Sequence, residues 1–241
     1  MAHRTSLTVA AGAVLAALAV AAPASARIIE VGATPQEAVP TCPSSPCLAV
    51  SRTTGYQTKA VDDREAFVIP RAGKLVAWSV TLGNPDRRQI AFFDDNYGAS
   101  SARLSVLRRG TRLYGRVRTQ SPLESLEPYF GQTVQFPLDT ALDVEKGYII
   151  ALTVPTWAPA LTQLLDDGSS WRASRPKGGC EDTDRQTAQS RVGQLTQYRC
   201  RYNARLTYSA TLITDPRTNA ERKERRERRE RRARRRAPDR R

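Results

Sequence analysis

The chain reads as an all-β protein, an antiparallel β-sandwich of the jelly-roll kind. Three observations carry that reading. Several short segments alternate apolar and polar residues with a period of two. Glycine- and proline-marked turns separate them, and no segment of the body carries a helical stripe longer than about two turns. The wet side expected of each sheet matches the polar half of the alternation. A closed barrel would share this periodicity and stays open as an alternative.

The strands follow in order along the chain. In residues 74–82, Val76, Trp78, Val80 and Leu82 fall on one face. In residues 148–154, Tyr148, Ile150, Leu152 and Val154 do the same. In residues 205–213, Leu206, Tyr208, Ala210 and Leu212 point inward, with Arg205, Thr207, Ser209 and Thr211 outward. Weaker strands are expected at residues 66–69, 89–93, 103–107, 113–119, 132–136 and 170–173. Pro70, Gly73, Gly83, Pro85, Gly98, Gly110, Gly147 and Gly168 mark the turns between these segments.

Composition sets the outer bounds. The 241 residues are 40% hydrophobic and 26% charged, with 15 Pro and 14 Gly, which excludes collagen-like and wholly disordered classes. No repeat of fixed period is present. Residues 1–26 read as a secretory signal peptide: His3 and Arg4 are basic, residues 7–22 are uncharged and apolar, and Ala24-Ser25-Ala26 is a small-residue cleavage site. Residues 27–40 form a lead-in, residues 41–214 the sandwich domain, and residues 215–241 an Arg/Glu-rich tail. Beyond residue 26 no apolar stretch is long enough to span a bilayer. The expected location is secreted or extracellular, with retention at the cell envelope.

Export changes how the cysteines read. Cys42, Cys47, Cys180 and Cys200 are an even set, expected to form disulfides in an oxidising compartment. Three connectivities are open. No C-x-x-C motif supports a zinc site.

Segments at residues 73–80 (Gly-Lys-Leu-Val-Ala-Trp-Ser-Val), 102–108 (Ala-Arg-Leu-Ser-Val-Leu-Arg) and 142–152 (Leu-Asp-Val-Glu-Lys-Gly-Tyr-Ile-Ile-Ala-Leu) resemble uncharacterised secreted β-sandwich proteins of high-GC Gram-positive bacteria. The resemblance covers residues of about 60–155. In that group the last segment starts with V-x-x-G-D-x-I, and here Tyr148 replaces the acid. The resemblance implies a fold and no activity.

The only histidine, His3, lies in the leader, so the mature chain has no imidazole for Ser-His-Asp or Cys-His catalysis or for histidine-ligated metals. Acids cluster at Asp62, Asp63 and Glu65; at Asp94 and Asp95 with Asn96; at Asp166 and Asp167; and at Glu181, Asp182 and Asp184. Paired carboxylates would serve a glycosidase, and the Asp94 and Asp166 runs would offer oxygen ligands to calcium. Acids of this kind are commoner as turn formers, because Asp and Asn side chains bond their own backbone. No catalytic residue, metal or cofactor is assigned. Tyr97, Trp157 and Trp171 are candidate ligand-contact aromatics outside the strand cores, while Trp78 is assigned to the core.

Residues 217–241 carry 14 Lys or Arg against five Asp or Glu, a net of +9 within the total of +14. Glu221, Glu224, Glu227 and Glu230 each precede an arginine by four residues, a spacing that supports helix by about 0.2–0.5 kcal/mol per pair. Without an apolar face the tail is expected to be an exposed helix or disordered. Arg225, Arg228, Arg229, Arg231, Arg232 and Arg235 are candidate polyanion contacts. The partners expected are an anionic wall polymer, lipid headgroups or a glycan, with no sequence-specific nucleic acid. The function read from sequence is a secreted, non-enzymatic, envelope-associated or extracellular binding module. The alternative is a carboxylate-dependent carbohydrate-active enzyme on a β-sandwich.

Overall fold

The computed structural model describes residues 26–34, 38–163, 168–175, 177–181, 188–216, 223–224 and 226–231. Residues 1–25, most of the expected leader, lie outside them, as do Asp166, Asp167, Asp182, Asp184, Arg225, Arg232 and Arg235. Among the described residues no helix is long and apolar enough to cross a membrane.

The strands are β1 (Ile28–Val31), β2 (Val50–Lys59), β3 (Gly73–Thr81), β4 (Ser101–Arg109), β5 (Tyr114–Gln120), β6 (Glu124–Ser125), β7 (Thr133–Val144) and β8 (Ile149–Ala158). They continue with β9 (Leu161–Thr162), β10 (Ser170–Ala173), β11 (Leu195–Gln197), β12 (Cys200–Tyr202), β13 (Arg205–Leu206) and β14 (Tyr208–Thr214). Among the described residues one α-helix, α1 (Arg87–Tyr97), interrupts them, with short 3-10 turns at Thr111–Leu113 and Glu127–Tyr129.

The topology is that of a jelly roll. A long antiparallel hairpin is rolled up so that its strands pair from the outside in: β1 with β14, β2 with β8, β3 with β7 and β4 with β5. Rolling then joins β14 to β3 and β8 to β4, which closes two sheets. The small sheet runs β1-β14-β3-β7. The large one runs β11-β5-β4-β8-β2-β10-β12, with β6 on β4. The inner faces share one apolar cluster that includes Leu75, Trp78, Val80 and Leu212 from the small sheet and Leu104, Val106, Ile150 and Leu152 from the large one. The Tyr208 hydroxyl crosses between the sheets and donates to the Ile150 carbonyl at 2.9 Å.

The expected strand at residues 103–107 lies within β4, and that at 170–173 is β10. Those at 113–119 and 132–136 overlap β5 and β7. Several local expectations need correction. Residues 89–93 are helical, not extended. Asp86 accepts from the Arg88 and Gln89 amides at 2.8 and 2.9 Å, and the Gln89 side chain accepts from the Asp86 amide at 2.9 Å. This reciprocal box satisfies N-terminal donors and holds three turns that local alternation would not support. Residues 66–69 form a turn with a single bridge from Val68 to Ile149. The lead-in contains β1, which pairs with β14. In β3 a bulge shifts the register between Leu75 and Ala77, so Leu75 is buried and Val76 is not.

The large sheet is also only partly wet on its outer side. The face of β8 opposite Ile150 and Leu152 is covered by residues 188–198, and its polar side chains bond one another. Thr153 bonds Thr54 at 2.9 Å and Ser105 at 2.6 Å. Gln120 donates to Ser105 at 2.9 Å, and the Gln189 amide donates to Thr54 at 2.9 Å. Gly115 admits the Tyr198 ring: a Cβ there would lie 2.7 Å from it. Tyr198 in turn packs on Tyr56, with ring centroids 5.0 Å apart.

Two disulfides staple the loops. Cys42 joins Cys47 with Cα atoms 4.4 Å apart, and Cys180 joins Cys200 with Cα atoms 5.3 Å apart. Both are local pairings, so the other two connectivities do not occur.

Candidate functional site

The two tryptophans proposed as ligand contacts are interior groups. Trp157 is fully buried; its indole stacks on Phe93 with centroids 4.6 Å apart, and its N–H donates to the Asp94 carboxylate at 2.8 Å. It anchors α1 to β8. Trp171 is 3% exposed, lies 4.8 Å from the Tyr202 ring and sits over Gly55, where a Cβ would approach it to 2.8 Å. Rings covered on both faces have no surface for a ligand, which corrects the expectation for both. Tyr97 is half-buried at the end of α1 with the Arg52 guanidinium 5.0 Å from its ring centroid.

Three of the described acids serve local structure. Asp94 holds the Trp157 N–H. Asp63 accepts from the Glu65 amide at 2.7 Å, a turn-forming bond of the kind its sequence suggests. Asp62 pairs with Lys59 at 2.6 Å, and that bond holds the Asp62 carboxyl below its usual range.

In the tail, residues 223–224 and 226–231 are helical. Arg228 pairs with Glu224 at 2.8 Å in the expected orientation, and Arg226 with Glu230 at 3.0 Å in the reverse one. Arg228, Arg229 and Arg231 are exposed; Arg225, Arg232 and Arg235 lie outside the described residues.

A site that periodicity did not reveal opens on the outward side of the large sheet. It is a cavity of about 400 Å³ lined by Lys59, Arg64, Arg109, Arg172, Arg201 and Glu65. Five cationic residues and one acid thus line it. Its remaining wall is Tyr56, Thr58, Leu113 and Ser170. Each cation comes from a different place. Lys59 ends β2, Arg64 follows in the next turn, Arg109 ends β4, and Arg172 and Arg201 lie on the paired strands β10 and β12.

Several of these groups are held in place. Arg172 donates to the carbonyls of Tyr198 and Arg199, both at 3.1 Å. Arg201 donates to the Ser170 hydroxyl at 3.2 Å, which also bonds Thr58 at 2.8 Å. Burial pushes the Tyr56 phenol up, against the opposing pull of Arg172 and Arg109. Such an arrangement is built to attract an anion, since guanidinium forks bond oxyanions directly. Only the isolated excess of basic residues among polar strand positions pointed to it in the sequence, and the fold is what gathers them.

Comparison with protein-family models, with curated proteins and with solved structures finds no match for this chain.

Proposed function

We propose that this chain is an exported, non-enzymatic binding module that acts at the cell envelope or outside the cell and holds anionic material. The observation that carries the reading is the cavity on the large sheet, whose lining holds five cationic residues and one acid. The Arg-rich tail supports it as a second basic element, whose described arginines are exposed. Two disulfides and the leader at residues 1–26 support export.

The enzymatic alternative needs two acids facing each other across a groove. Glu65 is the one acid among the lining residues of the cavity, so the binding reading is favoured.

The test is adsorption of the chain from residue 27 onward to dextran sulfate and to uncharged dextran across a salt gradient. The reading expects retention on the sulfated matrix alone, falling steeply as salt rises. Equal behaviour on both matrices would overturn it.

A further inference from the structure

We propose that the cavity lined by Lys59, Arg64, Arg109, Arg172 and Arg201 is a binding site for a phosphomonoester, the doubly charged oxyanion of a polyol phosphate or a lipid phosphate. The proposal deepens the anion-binding reading above and rests on it.

Charge decides between anion classes. Five cationic residues line the cavity with one acid, Glu65, and Asp62 takes up Lys59 at 2.6 Å. Arg172 and Arg201 are each positioned by bonds to neighbouring oxygens. Arg64 and Arg109 are exposed and have no protein acceptor among the described residues. A carboxylate brings one charge and two oxygens to this excess. A phosphomonoester brings about −1.5 to −2 charges and three oxygens, which suits a lining that holds four arginines. The volume of about 400 Å³ also leaves room beside the phosphate for part of its carrier, against Tyr56 and Leu113.

A pH signature follows. The titratable and charged groups around the cavity are Tyr56, Lys59, Arg64, Glu65, Arg109, Arg172 and Arg201, with Asp62 on Lys59; no histidine is among them. Imidazole is the side chain that ordinarily titrates between pH 5 and 8. The second phosphate proton leaves near pH 6, so affinity rises from pH 5 to pH 7.5 because the ligand gains charge.

The experiment is calorimetric titration of the chain from residue 27 onward with glycerol 3-phosphate, glucuronate and sulfate at both pH values. Sedimentation with vesicles containing phosphatidic acid or phosphatidylglycerol is run in parallel, and both assays are repeated on Arg64→Ser/Arg109→Ser. Arg64→Glu, a single change in an exposed turn, serves as the second variant. Glycerol 3-phosphate is expected to bind about tenfold tighter than glucuronate and about tenfold tighter at pH 7.5 than at pH 5, whereas sulfate, doubly charged at both, is expected to bind without that pH dependence. Both variants are expected to lose about tenfold with an unchanged thermal transition.

A preference for phosphatidic acid that the variants lose, without binding of glycerol 3-phosphate, supports the site and assigns it a lipid source. Glucuronate binding as tightly as glycerol 3-phosphate, or glycerol 3-phosphate affinity that does not change between pH 5 and pH 7.5, would overturn the proposal. So would variants indistinguishable from wild type toward both phosphate probes. Phosphate indifference combined with salt-sensitive retention on dextran sulfate overturns this proposal and leaves the anion-binding reading standing. Failure on both overturns both.

Discussion

The indole of Trp157 and the ring of Phe93 lie face to face, 4.6 Å apart and inclined by 21°, and this stack couples helix α1 to strand β8. Asp94, next along the helix, completes the anchor by accepting the indole N–H at 2.8 Å. Phe93→Ala removes the stack and uncovers one face of the indole. The expected cost is about 1–3 kcal/mol, below that of a fully buried Phe because Phe93 is half-buried. Chemical denaturation followed by circular dichroism reads the loss, and tryptophan emission should shift to longer wavelength. An unchanged midpoint would mean that the helix is held by other contacts.

The polar layer behind β8 predicts non-additivity. Thr153→Val deprives both Thr54 and Ser105 of a partner, at about 1–2 kcal/mol. Ser105→Ala in the same chain removes one of the groups left short, so the double variant should cost less than the sum of the singles. Simple addition in a double-mutant cycle would show that these hydroxyls do not act as one network.

The two disulfides should differ in worth. Their cysteines are separated by 20 residues for Cys180–Cys200 and 5 for Cys42–Cys47. Loop-closure entropy assigns about 3 kcal/mol to the longer loop and about 2 to the shorter. Cys180→Ala/Cys200→Ala is therefore expected to lower the denaturation midpoint more than Cys42→Ala/Cys47→Ala. The reverse order would contradict an entropic account.

Buried phenols set the alkaline limit. Burial raises the pKa of Tyr208 and Tyr198 well above the usual tyrosine value, while in the unfolded chain they titrate near their ordinary value of about 10. Above that pH the unfolded state holds fewer protons than the folded one, so stability is intact below about pH 10 and falls as pH rises past it. Phenolate absorbance should show these two groups titrating only as the chain unfolds. Reversible titration of all eight tyrosines near pH 10 in a folded chain would contradict their burial.

Much of the sandwich was legible because β3, β8 and β14 place apolar residues on one face, which is the local signature of a sheet over a core. Strand β2 was not, since Val50-Ser-Arg-Thr-Thr-Gly-Tyr-Gln-Thr-Lys59 has no such alternation and is buried by the segment that folds back over it. Helix α1 did carry a signal, Asp86 three residues before Gln89, but Phe92 and Phe93 resembled a strand. The cavity was illegible for a different reason. Its cations stand at polar positions of separate strands, and their proximity is a product of the jelly-roll order.

The tail should be dispensable for folding. Deleting residues 217–241 removes a net of +9 with no large apolar residue, so the denaturation midpoint should stay within about 0.5 kcal/mol of the parent's. Retention on dextran sulfate should fall. Equal salt-sensitive retention with and without the tail would remove it from the account.

The most direct test of the basic cavity as an anion-binding surface is the salt dependence of dextran sulfate binding by the intact chain and by Arg64→Ser/Arg109→Ser. The log–log slope is expected to become shallower by about one to two units in the variant, with unchanged folding. Superimposable curves would contradict the claim that this face of the large sheet binds anions.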